Sequence, residues 1–533
     1  MTHRPLFAAL VAGLLSGGPA VAQDSAGPYL AARAAASGWE FDAALRYFTD
    51  ALRADPANPS LLEGATIAAV ALSDFDRAGE LAREMAGYGI ESQVGHAVQV
   101  TLARGWALLG DGQDDAALAA FDAVTDTEGM RAYGQLHKGF ALAATGDLDA
   151  ALAIFETSGD GARALSPRAV IAQAQILSEQ GRNDDALALL DAVFGTILDP
   201  TLEAMKARLR AGETVPYDLV TDAREGLAET AYMIATLLGT EAREDYILQY
   251  ARMAQALNPR MIEAILLSAE LLQRLERFDL ASETFALVPQ DDPAWPSAEL
   301  GRIDSLRFSD RIEEAVEVAD SLARARPDLP FVQSRLGDVL REAEQFDAAR
   351  DAYSRAIEGY PEDDPNLWIT HYARAISAFE LDDWPPAEAD FRRALELNPE
   401  QPQVLNWLGY SLVERGEKLD EALDMIERAV EARPDSGAII DSLGWVYFKL
   451  GRYDEAVEPL ERAAALEATD PIVNDHLGDA YFVVGRQREA RFQWQRALSF
   501  DPEPELADRI RAKLAGERDP LDDTAPVNGT ASE

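Results

Sequence analysis

The chain has 533 residues, with 93 acidic against 48 basic side chains, a net charge of −45 and no cysteine. Charge of that sign repels phosphate backbones and anionic headgroups, which argues against nucleic acid as a partner, and the lack of thiols excludes disulfides, iron–sulfur clusters, thiol catalysis and thiolate zinc sites. An apolar fraction of 48% rules out general disorder, and five histidines scattered from His3 to His476 are too few and too far apart for a metal cluster.

In chain order the first element is a ten-residue, mostly apolar run from Leu6 to Leu15, preceded by His3 and Arg4. Ala20-Val21-Ala22 then places small residues at −3 and −1 before Gln23. That is the layout of a cleavable secretory signal, and ten residues are too few to cross a bilayer as a helix. Residues 1–22 are read as an export signal, so the mature chain is expected to be periplasmic or secreted. No later stretch approaches 18 apolar residues, so the mature chain is expected to carry no integral membrane segment.

From residue 23 onward one motif recurs. A small residue on a first helix falls at Ala32, Thr66, Gly105, Gly139 and Ala174. After a long interval it resumes with a degenerate copy near Ala231, then Ala269, the exception Ile303, Gly337, Ala375 and Gly409. A second helix follows each time, as in Ala44, Phe48, Ala51 and Pro56, or Ala349, Tyr353, Ala356 and Pro361. The last two copies are the clearest. Leu443-Gly444, Tyr447, Gly451, Ala456, Leu460 and Ala463 return 34 residues later as Leu477-Gly478, Tyr481, Gly485, Ala490, Trp494 and Ala497. Small residues at the eighth and twentieth positions let two helices approach closely. A bulky residue at position 24 fills the gap toward the next copy. Gly near position 15, as at Gly146, Gly181, Gly451 and Gly485, ends the first helix. Proline at position 32 stops the second. A single hairpin of this size buries too little surface to fold, so stability must come from stacking neighbours.

These spacings resemble the tetratricopeptide repeat (TPR) family. The resemblance implies an all-α fold, a TPR superhelical solenoid of about 13 helical hairpins. Two stretches break the pattern. Residues 195–225, which include Gly212-Glu213-Thr214-Val215-Pro216-Tyr217, read as an irregular connector between an N-terminal block, 23–194, and a C-terminal block, 226–502. At the far end Leu506, Ile510 and Leu514 form one apolar stripe, so 503–516 reads as a capping helix. The polar, proline-containing residues 517–533 read as a disordered tail.

No catalytic motif is present: no P-loop, GxGxxG, GxSxG, HExxH, SxxK or EF-hand loop occurs. The chain is expected not to be an enzyme and to need no cofactor and no metal. Acidic pairs such as Asp114-Asp115, Asp184-Asp185 and Asp363-Asp364 sit at repeat turns, where they suit helix N-termini. His371 and His476 read as packing or surface residues rather than ligands. The resemblance implies a concave groove lined by first helices. In the C-terminal block the lining positions carry Tyr372, Phe379, Asn406, Tyr410, Asp441, Trp445, Phe448, Asp475, Asp479 and Phe482. Aromatic rings there would stack on a partner's apolar side chains, while Asn and Asp would take its backbone and basic groups. The fifth and ninth positions of these repeats carry no lysine, so the basic clamp of chaperone-binding TPR domains is missing. The stretch Asn406-Trp407-Leu408-Gly409-Tyr410-Ser411-Leu412 through Asp441-Ser442-Leu443-Gly444-Trp445-Val446-Tyr447 resembles a bacterial envelope subfamily. Its members are adaptors that present cell-wall hydrolases to carboxyl-terminal processing proteases. That resemblance implies a non-enzymatic scaffold for other proteins or peptides, with such a protease among its partners. Those adaptors are usually lipoproteins, and this chain has no cysteine to carry a lipid. The alternative expectation is a scaffold for envelope or exopolysaccharide assembly.

Overall fold

The computed structural model describes residues 26–38, 40–72, 74–89, 96–157, 166–195, 200–239 and 242–521. The export signal read at 1–22 and most of the tail lie outside these residues. Among the described residues the chain forms 28 α-helices and no strand. In chain order the helices run in thirteen consecutive pairs, from Ala26–Ser37 with Phe41–Leu52 to Pro471–Val483 with Gln487–Leu498. Two further helices, Pro200–Arg210 and Pro504–Ala515, stand outside the pairs. The expected all-α solenoid of helical hairpins is what the chain forms.

Local chemistry sets the helix ends. Asn58, Ser166 and Asp470 each accept a backbone N–H of the first turn, and each precedes a proline at the first helical position. First helices close through a left-handed residue, Gly146, Gly181, Gly451 and Gly485 having φ between 72° and 87°. The acidic pairs Asp114-Asp115 and Asp184-Asp185 lie inside the first turns of their helices and cap no N–H with a side chain. They act there on the helix dipole. Asp364 instead accepts the Asn366 N–H at 2.8 Å in the turn before its helix.

The repeat's spacing rule has a concrete basis in packing. A Cβ added at Gly105, Gly139, Gly337 or Gly478 would lie 2.5–2.6 Å from the ring of Phe121, Phe155, Tyr353 or Trp494. The bulky residue of the second helix therefore sits on the glycine of its own repeat. Where the glycine stands two residues earlier, at Gly64 and Gly301, it meets Phe48 and Phe285 of the preceding repeat, 2.4 and 2.5 Å from the added atom. The same side chain thus seals the seam on either side, which extends the expectation that it fills only the gap to the next copy.

The chain divides into two compact units, up to Arg311 and from Ile312 onward. The connector at 195–225 lies within the first unit. It is irregular but docked. The Val215 N–H donates to Ser178 Oγ at 2.9 Å, the Asn183 amide donates to the Glu213 carbonyl at 2.9 Å, and Val215 and Val220 are buried. Beyond it, helix Ala223–Leu238 returns onto helices His96–Gly110 and Arg131–Ala144. Gly226 makes this possible, since an added Cβ would stand 2.2 Å from the Trp106 indole. The Tyr250 hydroxyl donates to Gln99 Oε1 at 3.1 Å, and Arg168 Nε donates to the two Glu229 oxygens at 2.7 and 2.8 Å. The first-helix face at helices His96–Gly110 and Arg131–Ala144 is therefore covered by the chain itself.

The second unit ends in helix Pro504–Ala515, whose Leu506 and Ile510 are buried and whose stop, Gly516, is left-handed with φ 76°. This helix also sends Lys513 inward. Its ammonium, with no exposed side-chain surface, donates to Asp475 Oδ2 at 3.0 Å and Asp479 Oδ2 at 2.6 Å.

Candidate functional site

With the first helices His96–Gly110 and Arg131–Ala144 of the first unit covered by the chain, the face worth building residue by residue is that of the second unit. It is carried by helices Leu367–Glu380, Pro402–Glu414, Gly437–Lys449 and Pro471–Val483. The rings assigned to a groove divide into two groups. Tyr372, Phe379, Tyr410 and Phe482 are half-buried. Their neighbours are ring edges and faces: Tyr372 lies 6.1 Å from Phe391, Phe379 lies 5.7 Å from Trp407, and Phe482 lies 5.6 Å from Trp494. Each keeps part of its surface in solvent.

Trp445 and Phe448 differ from the expectation. They are 4% and 0% exposed, so neither ring offers a face to a partner. They stack on each other at 4.9 Å and 8°, and Trp445 also stacks on His476 at 3.9 Å and 11°. Phe448 reaches back to Tyr453 on the second helix, 5.2 Å away. The physical reason is the close approach of successive first helices, which turns a nominal groove position into a seam. The aromatic stripe expected from Tyr410 through Trp445 and Phe448 to Phe482 is interrupted there.

The polar positions were also taken into that seam. Asp441, Asp475 and Asp479 are buried, and all three are engaged by the chain's own cations or rings. Asp441 Oδ2 lies 2.9 Å from His476 Nδ1. Asp475 and Asp479 share Lys513, and Asp479 Oδ1 accepts the Trp494 indole N–H at 2.9 Å. The Trp445 indole N–H donates to Glu414 Oε1 at 2.5 Å. Burial alone would lower the His476 imidazole, but the Asp441 carboxylate, with Asp475 and Asp479 behind it, outweighs that and holds it above its ordinary range. Burial pushes the Tyr410 phenol well above its ordinary value, with Glu414 and Asp441 adding to the effect, so it stays a neutral hydroxyl.

Three acceptors along this face have no hydrogen-bond partner among the described residues: Asn406 Oδ1, Asp441 Oδ1 and Asp475 Oδ1. A buried acceptor left unmade costs about 1–3 kcal/mol, and because these oxygens are closed off from solvent that cost falls on the fold itself. Farther along, His371 Nδ1 and Arg374 Nε and Nη2 all converge at 2.7 Å on Asp390. Burial alone would raise that carboxyl; the hydrogen bonds from His371 and Arg374 outweigh it and hold the group below the usual range. Sequence reading placed both histidines as packing or surface residues; they are packing residues with fixed carboxylate partners. It did not single out Lys513, Trp407 or Glu414. The apolar stripe of the last helix was visible, but nothing in the stripe says where the lysine beside it points.

Among the described residues no group of three or more His, Asp or Glu is placed to hold a metal ion, and no helix is long and apolar enough to cross a membrane.

Comparison with known proteins places this geometry in context. Family profiles described as Tetratricopeptide repeat match residues 300–364, 372–437, 411–471 and 442–504, and a second such profile matches 132–157 and 167–192. A TPR repeat-containing protein of Pseudomonas aeruginosa is 31% identical over 156 residues, which is 29% of this chain and 26% of the relative. The human interferon-induced protein with tetratricopeptide repeats 2 is 25% identical over 208 residues, 38% of this chain and 43% of the relative. The chain thus spans less than half the length of either. Among solved structures, the anaphase-promoting complex hetero-tetramer Cut9–Hcn1 aligns over 91% of this chain and 95% of that one, at 14% identity and a TM-score of 0.39.

Proposed function

Since the chain is a tetratricopeptide repeat protein, we propose that it is a non-enzymatic scaffold that takes other proteins or peptides on the first-helix face of its second unit. The reading places it in the periplasm after export by residues 1–22. The observation that supports the site is the set of part-exposed rings on that face. Tyr372, Phe379, Tyr410 and Phe482 keep solvent-facing surface on three first helices of this unit. Aromatic anchors flanked by polar groups are what protein interfaces draw their affinity from.

The partners proposed are a carboxyl-terminal processing protease and the cell-wall hydrolases delivered to it. The second reading is a scaffold for envelope or exopolysaccharide assembly. Purification of the native protein, with mass spectrometry of the chains that come with it, separates the two. A protease and hydrolases, together with hydrolase accumulation in a deletion strain, support the adaptor. Assembly or export components with unchanged hydrolase levels support the second reading.

A further inference from the structure

Within the first unit, helices Ala26–Ser37, Phe41–Leu52 and Pro59–Ala71 enclose a cavity of about 630 Å³ together with helices Glu244–Leu257, Ile262–Arg274 and Phe278–Phe285. This volume falls within the range of small-molecule sites. Its floor is apolar and buried: Phe48, Ile67, Ala68 and Leu272 are at most 5% exposed. Leu248 and Leu275, both half-buried, carry the apolar wall outward, and Leu280 is exposed at the rim. Hydrocarbon lining alone would suit any apolar occupant, so the charges decide.

Four arginines line the cavity, Arg33, Arg243, Arg252 and Arg277, against two carboxylates, Glu244 and Asp245. That ratio inverts the chain as a whole, in which acids outnumber bases 93 to 48. Both carboxylates are already engaged. Asp245 accepts from Arg33 Nη2 at 2.8 Å and Arg243 Nη2 at 2.9 Å, and Glu244 accepts from Arg274 Nε at 2.8 Å. Arg252, half-buried in the wall, donates to the neutral acceptors Gln255 Oε1 at 3.1 Å and Thr284 Oγ1 at 3.0 Å. Burial lowers its proton affinity by more than the nearby Glu283 carboxylate raises it, as expected of a cation partly withdrawn from water.

The polar inventory also discriminates between occupants. An extended peptide brings a backbone donor and acceptor at every residue, and each needs a partner once buried. The lining offers one amide side chain, Gln249. An acyl chain needs none, and its single anionic head needs only cations.

We propose that this cavity binds a single-chain anionic amphiphile, a long-chain fatty carboxylate, with the chain against Phe48, Ile67 and Leu272 and the head among the arginines. A lysophospholipid shares the acyl chain and anionic head, so the two sources are distinguished by assay. The full chain is titrated by calorimetry with palmitate, with lysophosphatidylglycerol, with hexadecyltrimethylammonium and with an apolar pentapeptide. Saturable binding of palmitate at one per chain is expected, at least tenfold tighter than the cationic amphiphile. A tighter lysophosphatidylglycerol would keep the site and assign the head to phosphate. Two variants test the location. Arg252→Gln should weaken palmitate at least tenfold. Leu248→Glu sets a like charge on the wall one helical turn from Arg252, where it both repels the head and pairs with that cation, and should do the same while helical circular dichroism is unchanged. No saturable palmitate binding, equal affinity for the cationic amphiphile, preference for the pentapeptide, or folded variants that bind like the parent would each overturn the proposal. None of these outcomes bears on the scaffold reading, which concerns the second unit.

Discussion

Acid should loosen the first unit through one side chain, His137. It is fully buried on helix Arg131–Ala144, with its ring 6.0 Å from Trp106, 6.3 Å from Phe121 and 6.4 Å from Phe140. Its Nδ1 accepts the Trp106 indole N–H at 3.1 Å, and its Nε2 meets no partner among the described residues. An aromatic cage offers a cation no compensating charge, so burial pushes the imidazole down to about 3 from its ordinary 6.5. The sign follows. Above about 6.5 both states are neutral, and the contribution to stability is fully present. As pH falls below that value the unfolded chain takes up a proton that the folded chain refuses until about 3, so stability is lost across that window. At pH 5, roughly 1.5 pH units below the unfolded value, the loss is about 2 kcal/mol at about 1.4 kcal/mol per pH unit. His137→Gln keeps an acceptor for the indole and removes the proton. Hydrogen-exchange mass spectrometry of peptides covering Arg131–Ala144, at pH 5 and pH 7 and corrected for intrinsic exchange, reads the opening free energy of this segment. The parent should lose about 2 kcal/mol between the two and the variant far less. An equal loss in parent and variant would show that the imidazole is charged or solvated in the fold, and the cage argument would fail.

Four further outcomes are expected. His476 titrates with the opposite sign: its folded value is held above the ordinary 6.5 by Asp441, so its stabilisation is complete below about 6.5 and is lost as pH rises above it; His476→Gln should flatten the alkaline decline of the second unit in thermal melts. Lys513→Met strands Asp475 and Asp479 in a buried site, which costs about 3–5 kcal/mol and should lower the melting temperature of the second unit by roughly 10 °C; Asp479→Asn in that background should recover part of it, and a Lys513→Met protein that melts like the parent would refute the assignment. Trp445→Ala should cost about 3–5 kcal/mol as a core truncation, so early melting with partner binding intact at the other rings is expected by denaturation and pull-down, not a folded protein that has lost its partner. Gly226→Ala gains about 1 kcal/mol of helix propensity yet drives a methyl into the Trp106 indole, an overpacking of about 1–3 kcal/mol; urea titration should show net destabilisation.

The repeat itself was legible because its signals are local. Gly444 and Leu460, or Gly478 and Trp494, recur at a fixed spacing set by one hairpin, and they touch as that spacing requires. The left-handed stops at Gly451 and Gly485 were equally local. What the sequence withheld is long-range. Gln99 and Tyr250 are 151 residues apart, and no periodicity in either neighbourhood announces that helices from 223 to 257 return onto the N-terminal repeats. Gly226, a glycine inside a helix of the degenerate repeat, was the one available sign, since its Cβ is excluded by Trp106. The groove residues were half legible for a related reason. Position within a repeat tells which face of a helix a residue occupies, but not how closely the next helix approaches. Tyr372 and Phe379 stayed part-exposed, whereas Trp445, Phe448 and the three aspartates were closed in by their neighbours and by Lys513.

The scaffold reading rests on where a partner docks, and site-specific photocrosslinking in cells addresses that point directly. A benzophenone side chain is placed singly at Asn406 or Tyr410 on a first helix of the second unit, and at Arg393 or Glu431, exposed on second helices. The account predicts adducts with the same partner chain from Asn406 and Tyr410 and none from Arg393 or Glu431. Adducts confined to the second-helix positions, or none from any first-helix position while the protein is folded and present, would contradict it.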